Sequence, residues 1–455
     1  AAIHTDAPSG CVGIFYIIIC DFRSHANVIH TCVTICCYHE SNNQQSIDGE
    51  HFTPHGGHTM KIEMPFRAAD ILIPRGDHTL FSTVACDQFT AEPKYWEQVR
   101  ELTDGHPTAY RITLPEVYLS DDNSERINAI NTEMKHYLDS GLFAEYPHAM
   151  IYVERTLSNG SMRRGLVGAI DLEAYDYTPG TTAPIRATEG TVPERIPPRV
   201  LIRRDAPLEM PHVMLLIDDP KRTVIEPLKD SCTETVYDFD LMTGAGHLRG
   251  ALVPESIQES ILSALAALCG DEEHPFLFAV GDGNHSLATA KQCYLDNPTP
   301  ENRYALVEVV NVHDDALVFE PIYRVVFGAD TDELIGAVRA HFAAMQPARL
   351  TSTMAAITSK GEQSFPCTSF PVGELQELLA AYVAEHPGTV LDYIHGESSL
   401  RELSEGDGAV GFLFEGMKKS ELFPYIREKG ILPRKAFSMG EALDKRFYME
   451  CRSLC

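Results

Sequence analysis

Basic residues are scarce in this chain. Its 455 residues hold 37 Lys and Arg against 65 Asp and Glu, a formal net charge of −28. Such a polyanion repels a phosphate backbone, which excludes broad nucleic-acid binding unless some patch reverses the local sign. Long hydrophobic runs are missing as well. The longest, Cys11 to Cys20, has ten residues, about half of what a membrane-spanning helix needs. A soluble, cytoplasmic protein with no membrane partner is therefore expected. No Cys-x-x-Cys pair of the usual zinc spacing occurs, and there is no internal repeat or low-complexity tract. What remains is globular composition, 44% hydrophobic and 22% charged, in a chain long enough for two or three domains.

The first 59 residues lack Lys altogether and hold one Arg, Arg23, yet carry five of the 12 Cys and seven of the 19 His. They show neither the basic n-region nor the small-residue cleavage site of a signal peptide. One reading is a metal-binding extension built from Cys32, Cys36, Cys37, His39, His51, His55 and His58. The other, which the missing zinc spacing favours, is translated upstream sequence with Met60 as the natural start. The remaining cysteines (Cys86, Cys232, Cys269, Cys293, Cys367, Cys451 and Cys455) are scattered and odd in number, so no disulfide framework is legible. Cys451 and Cys455 stand four apart on what reads as a terminal helix.

From Met60 onward, apolar periodicity predicts a strand at 70–74, helices at 90–102 and 124–140, and strands at 150–156 and 164–172. The stretch 175–198 contains five prolines, so no long element is expected there; connections of that length tend to be functional or disordered. Strands follow at 213–218, 276–280, 304–310 and 322–327, with helices at 254–268 and from His285. The last part alternates helices at 331–344, 372–385 and 418–429 with strands at 390–394 and 409–414. The pattern predicts an α+β protein: a mixed-sheet body over 60–328 and a smaller α/β domain over 329–455, whose basic segment 432–448 returns to the body.

The strongest chemical signal is FLFAVGDGNHSLATAK, where an apolar strand runs into Gly281-Asp282-Gly283-Asn284 and a helix opens at His285-Ser286. Glycines let a backbone approach a ligand, and the amides of a new helix favour an anion such as phosphate. Asp282 could hold Mg²⁺ or accept a proton, and His285 could donate one. The plain alternative is a tight turn capped by Asn284 or Ser286. A second signal is the arginine set Arg186, Arg195, Arg199, Arg203 and Arg204, set against the field of the chain and able to grip phosphate or carboxylate. Surface pairing with the acidic body is the alternative, favoured for Arg203 and Arg204. Arg324, at the head of an apolar strand, is either an isolated cation or a salt-bridge partner. Lys435, in the basic turn LPRKAFS, belongs to a lid or to a solvated face.

Four runs in this order, ATEGTVPER, VGDGNHSLATAK, FEPIYRV and LPRKAFSMG, resemble the uncharacterised DUF1015 family. The resemblance covers most of the chain from Met60 and none of 1–59. Asp282-Gly283-Asn284-His285, with Ala288 and Ala290 behind it, is similar to the second box of the ParB/sulfiredoxin-like nucleotide-binding superfamily. This implies ParB/sulfiredoxin-like core elements in the body and a nucleotide as ligand. Among the activities of that superfamily, ParB-type DNA binding conflicts with the acidity, and sulfiredoxin chemistry with the absence of Cys from all four runs. What the resemblance then implies is a small-molecule phosphotransferase, a nucleotide-dependent serine kinase or phosphoserine-processing enzyme, using Mg²⁺ and ATP or ADP on a small phosphorylated ligand. The expected catalytic residues are Asp282 (also the metal ligand), His285, Glu189 and Glu320. Gly281, Gly283, Asn284, Ser286, Arg186, Arg199, Arg324 and Lys435 are expected to bind ligand. Two departures from the family pattern stand out: Tyr323 occupies the place of a His, and Asn284 and Ser286 replace a His and an Arg, removing one cation from the helix start. A non-catalytic regulatory protein that binds ATP or CTP is the competing expectation.

Overall fold

The computed structural model describes residues 64–455 except 121, 211, 271 and 272, and the backbone of two strands nearer the start. The chain divides into two units, Ala1–Lys61 and Ile62–Cys455. In the first, strands Ile18–Arg23 and Ile29–Thr34 pair antiparallel, with Cys20 opposite Cys32. The side chains of the metal-binding set expected there, and Met60 itself, lie outside the described residues.

The second unit is built on a large mixed sheet flanked by helices, an α+β arrangement. Its middle is the strand Tyr304–Asn311 (YALVEVVN), buried at every position but the first. A run with so little alternation requires cover on both faces. One face receives Ile130, Met134 and Tyr137 of the helix Ser124–Asp139 and Trp96 of Pro93–Leu102. The other receives Ile261 and Leu265 of Glu255–Leu268, together with Leu287. Three- and four-residue spacings of this kind place each apolar stripe on a single helix face. On one side Tyr304–Asn311 pairs antiparallel with Met162–Asp171. On the other it pairs parallel with Met214–Ile217, which in turn meets Phe278–Asp282.

The proline-rich stretch is woven into this sheet. Ile185–Ala187 pairs parallel with Phe278–Asp282 on one edge and with Tyr175–Asp176 on the other. A helix, Ile196–Arg203, then begins with Pro197 and Pro198 in its first turn. Proline is tolerated there because first-turn N–H groups have no intrahelical partner. No long element lies within 175–198, as expected; its short strands and the helix start at Ile196 are what the prolines did not announce.

A six-stranded sheet centred on Phe319–Phe327 packs beneath Val338 and Phe342 of Thr331–Ala343, Leu375 and Leu379 of Val372–Glu385, and Ile426 of Leu422–Lys429. The chain end then comes back to the core on one face of the first sheet. Phe447 bridges Val84, Cys451 bridges Leu72, and Arg452–Ser453 pairs with Leu208–Glu209. The terminal helix expected around Cys451 and Cys455 is thus replaced by extended chain, with Cys451 buried in the core. The seven cysteines of the described residues are free. Among the described residues no helix is long and apolar enough to cross a membrane.

Candidate functional site

Phe278–Asp282 ends where the helix Asn284–Asp296 begins, and Gly283 between them turns the chain at φ +80°. A Cβ on Gly283 would also stand 3.1 Å from Cα and Cγ2 of Val213, so the turn is tight for two independent reasons. No side chain caps the helix, which leaves first-turn amides directed outward as donors. Asp282 stays beside them because its Oδ1 accepts the Gly283 N–H at 2.9 Å. Gly281 serves packing instead: a Cβ there would come within 2.8 Å of Leu216 Cγ.

The first arm of the proline-rich stretch is clamped over this turn. Asn284 donates to Thr188 Oγ1 at 3.3 Å, and its Oδ1 accepts the Thr188 N–H, also at 3.3 Å. The Asn284 amide therefore fixes the loop instead of facing a ligand. Glu189, next in sequence, keeps an exposed edge, but protein packed around its carboxyl withdraws it from water. That burial, reinforced by the negative charge of Asp282, raises its pKa against the opposing pull of Lys435, Lys445 and Arg434. His285 Nε2 accepts the Val192 N–H at 3.3 Å. Burial, then the charges of Arg199 and Arg195, lower its pKa. The imidazole is therefore neutral near pH 7 with Nε2 as an acceptor, and proton donation, the role expected of it, is open only to Nδ1.

The returning tail supplies the cations. Leu432 pairs beside Glu189, its N–H donating to Thr188 O at 2.7 Å. This lays the basic turn along the loop, with Lys435 at φ +57°. Lys445 Nζ stands 3.3 Å from Asp282 Oδ2. Asp282, Glu189, Lys435 and Lys445 thus converge at the helix start from the strand, the loop and the tail.

Arg324 and Arg186 take no part in that group. Arg324 is fully buried. It donates to Gln376 Oε1 at 3.2 Å, to the Ile322 carbonyl, and to Arg434 O at 2.9 Å; burial brings its pKa down to about 10. Its guanidinium positions the backbone ahead of Lys435. Arg186 donates to Ala183 O at 2.8 Å and Pro275 O at 3.1 Å and lies over the Phe276 ring, beyond the far end of the strand that carries Asp282. Arg199 is paired with Glu116. Glu320 is exposed on Phe319–Phe327 opposite Ser438, and its charge acts on Tyr323, not on the Asp282 group.

Ser286 meets a partner that no motif announced. Its Oγ lies 3.3 Å from His212 Nε2, and the same nitrogen stands 3.4 Å from Asp87 Oδ2. Nδ1 lies 2.9 Å from the Tyr448 hydroxyl. Burial alone would depress the His212 pKa, but the Asp87 carboxylate outweighs it and the net shift is upward. Burial likewise opposes ionisation of Asp87, yet His212 holds its carboxyl well below the usual range. A histidine whose protonated form the Asp87 carboxylate favours therefore sits behind Ser286, close to where the sequence pattern lacks a cation. The only readable signal was a His followed by Val213 at a strand start, which is too common to single out. Cys86, against Tyr448, has its thiol pushed up to about 12 by burial, so it is no thiolate nucleophile near neutral pH.

For Mg²⁺, Asp282 with Glu189 beside it is a sparse donor set, and the described residues contain no cluster of three or more His, Cys, Asp or Glu able to hold a metal. One or two carboxylates completed by substrate phosphates is the usual magnesium arrangement, and Asp282 fits it once Lys445 leaves its Oδ2.

Fold and site together define an α+β protein with an uncapped strand-to-helix turn against which its own C-terminal tail returns. The chain belongs to the family described as protein of unknown function (DUF1015), whose pattern matches residues 64–405. No curated protein matches it. Among solved structures, a free serine kinase in complex with AMP is 10% identical, with 63% of this chain and 91% of that one covered at a TM-score of 0.35. A conserved hypothetical protein from Pyrococcus furiosus is also 10% identical, over 63% and 93% of the two chains at 0.32. SbnI with a C-terminal truncation, from Staphylococcus aureus, is 9% identical over 60% and 82%, at 0.32. At such values the function has to be argued from the site.

Proposed function

We propose that this protein transfers a phosphoryl group between a nucleotide, ATP or ADP, and a small hydroxyl compound, for which free serine is what the family resemblance implies. The observation that carries the reading is the convergence of Asp282, Glu189, Lys435 and Lys445 on an uncapped helix start. Phosphoryl transfer asks mainly for positioning and charge neutralisation. First-turn amides and the two lysines supply donors and positive charge where phosphate oxygens would lie. Mg²⁺, held by Asp282 with Glu189 near it, would supply further neutralisation of the phosphates. Glu189, with its raised pKa, accepts the proton of the substrate hydroxyl as the new O–P bond forms and the bond to the nucleotide's bridging oxygen breaks.

One contact favours the regulatory alternative: Lys445 occupies Asp282 Oδ2, tying the tail to the turn as a nucleotide-released latch would. Phosphorus NMR separates the readings. The full chain with magnesium is incubated with serine plus ATP or ADP, and separately with phosphoserine plus ADP or AMP. Appearance or loss of the phosphoserine resonance is expected. Tight nucleotide binding with no phosphate movement in either direction transfers the case to the regulatory reading.

A further inference from the structure

The helix that starts at Asn284 has a second neighbour besides the charged cleft. A cavity of about 150 Å³ opens along its Ser286, Leu287, Thr289 and Ala290 side. Its walls are mainly aliphatic, from Ile112, Leu114, Met134, Ile202, Leu208 and Met210. Its polar lining includes the Ser286–His212 contact at 3.3 Å and the ion pairs Glu116–Arg199 and Glu209–Arg203. An apolar cavity of about this volume accommodates a single six-membered ring. A few polar groups in the wall of an apolar chamber fix the orientation of a flat ligand.

We infer that this cavity receives the base of a nucleoside phosphate whose phosphates lie at the start of the same helix. The inference rests on the reading of that helix start as a phosphate site and adds the other half of the ligand. Two features of different chemistry share one helix turn: donors and lysines ahead of Asn284, an aliphatic chamber behind Ser286. A ligand satisfying both carries a polyanionic head and a flat, weakly polar ring. Glu116 has one carboxylate oxygen engaged by Arg199, and its second oxygen remains an acceptor for an exocyclic amine. Such an edge contact gives the chamber a means of choosing among bases.

The test compares three probes by isothermal titration: ATP, inorganic tripolyphosphate and adenosine, each into the full chain with magnesium. Two variants fill the chamber from half-buried wall positions where a larger side chain can still spill outward, Ile202→Trp and Leu119→Trp. The wild type should bind ATP at least about tenfold more tightly than tripolyphosphate, the gain expected from burying an apolar ring. Each variant should bring ATP down to the tripolyphosphate value while tripolyphosphate affinity stays where it was, which also shows that the variant is folded. The assignment is overturned if ATP binds the wild type no better than tripolyphosphate, or if both variants keep the ATP affinity. Adenosine keeps the two claims apart. If tripolyphosphate does not bind but adenosine does, and the variants abolish it, the phosphate reading falls and the chamber stands. If neither ATP nor adenosine binds, both fall.

Discussion

The arginines buried in the two sheets and the lysines of the returning tail carry the same charge and do opposite work. Arg186 and Arg324 sit where the sequence concentrates its anion-binding signals, yet their N–H groups are spent on carbonyls and an amide: Ala183 and Pro275 for one, Ile322, Arg434 and Gln376 for the other. Lys435 makes no hydrogen bond or ion pair among the described residues, and Lys445 has one partner, Asp282. A cation is available to a ligand when its donors are unspent, and donor satisfaction depends on the fold and not on residue type. The difference also separates stability from binding. Removing a buried arginine strands several acceptors, whereas removing the exposed Lys435 strands none and removing Lys445 frees only one oxygen of Asp282.

The largest effect should come from Arg324→Ala. Loss of its donors leaves the Ile322 and Arg434 carbonyls unpaired in the interior and opens a void, so a urea melt should show a loss of about 3 kcal/mol or more. An Arg324→Ala protein with an unchanged melt and abolished nucleotide binding would turn Arg324 back into a ligand residue and break the comparison.

Next comes the buried pair behind Ser286. His212→Leu leaves Asp87 without its counter-charge and should destabilise by roughly 3 kcal/mol. The pH dependence has a definite sign. Because the folded pKa of His212 is raised, its contribution is complete below the ordinary histidine pKa and fades as pH rises through the folded value. Asp87, lowered, contributes above the ordinary carboxylate pKa and loses that contribution as pH falls through its own folded value. Thermal melts across pH should show both limbs in the wild type and neither in an Asp87→Asn, His212→Gln double variant.

A third effect is confined to turnover. With Glu189 as the base, kcat should rise with pH through a midpoint above the ordinary glutamate value, the direction of its shift, and Glu189→Gln should remove that limb with little change in melting temperature. A limb that persists in Glu189→Gln belongs to another group and takes the proton away from Glu189.

Much of this architecture was readable in advance, and the reasons for the failures are physical. Helices with a clean apolar stripe, such as Val372–Glu385 and Glu255–Leu268, announce themselves because one face must be buried. The turn at Gly281-Asp282-Gly283 did too, because a buried strand meeting glycines has few alternatives. Ile185–Ala187 was hidden: a three-residue strand among prolines carries no period, and its pairing with Phe278–Asp282 is a long-range event. The His212–Asp87 pair joins residues distant in the chain through packing alone. The basic tail was visible as a cluster, but which of its cations face the turn was not: Arg446 is consumed by Glu308 and Glu450, while Lys445, one residue earlier, reaches Asp282. Adjacent positions on extended chain point to opposite faces, and composition does not say which face meets the site.

The most direct test removes the two tail lysines together. ATP is titrated calorimetrically, with magnesium, into the wild type, a Lys435→Ala, Lys445→Ala double variant and Arg186→Ala. If the tail supplies the phosphate-binding charge, the double variant should lose on the order of tenfold or more in affinity while its melting temperature stays within a few degrees of wild type. Arg186→Ala should show the reverse, a lowered melting temperature with ATP affinity retained in the folded protein. Undiminished ATP affinity in the lysine double variant, or a selective loss in Arg186→Ala, would contradict the account.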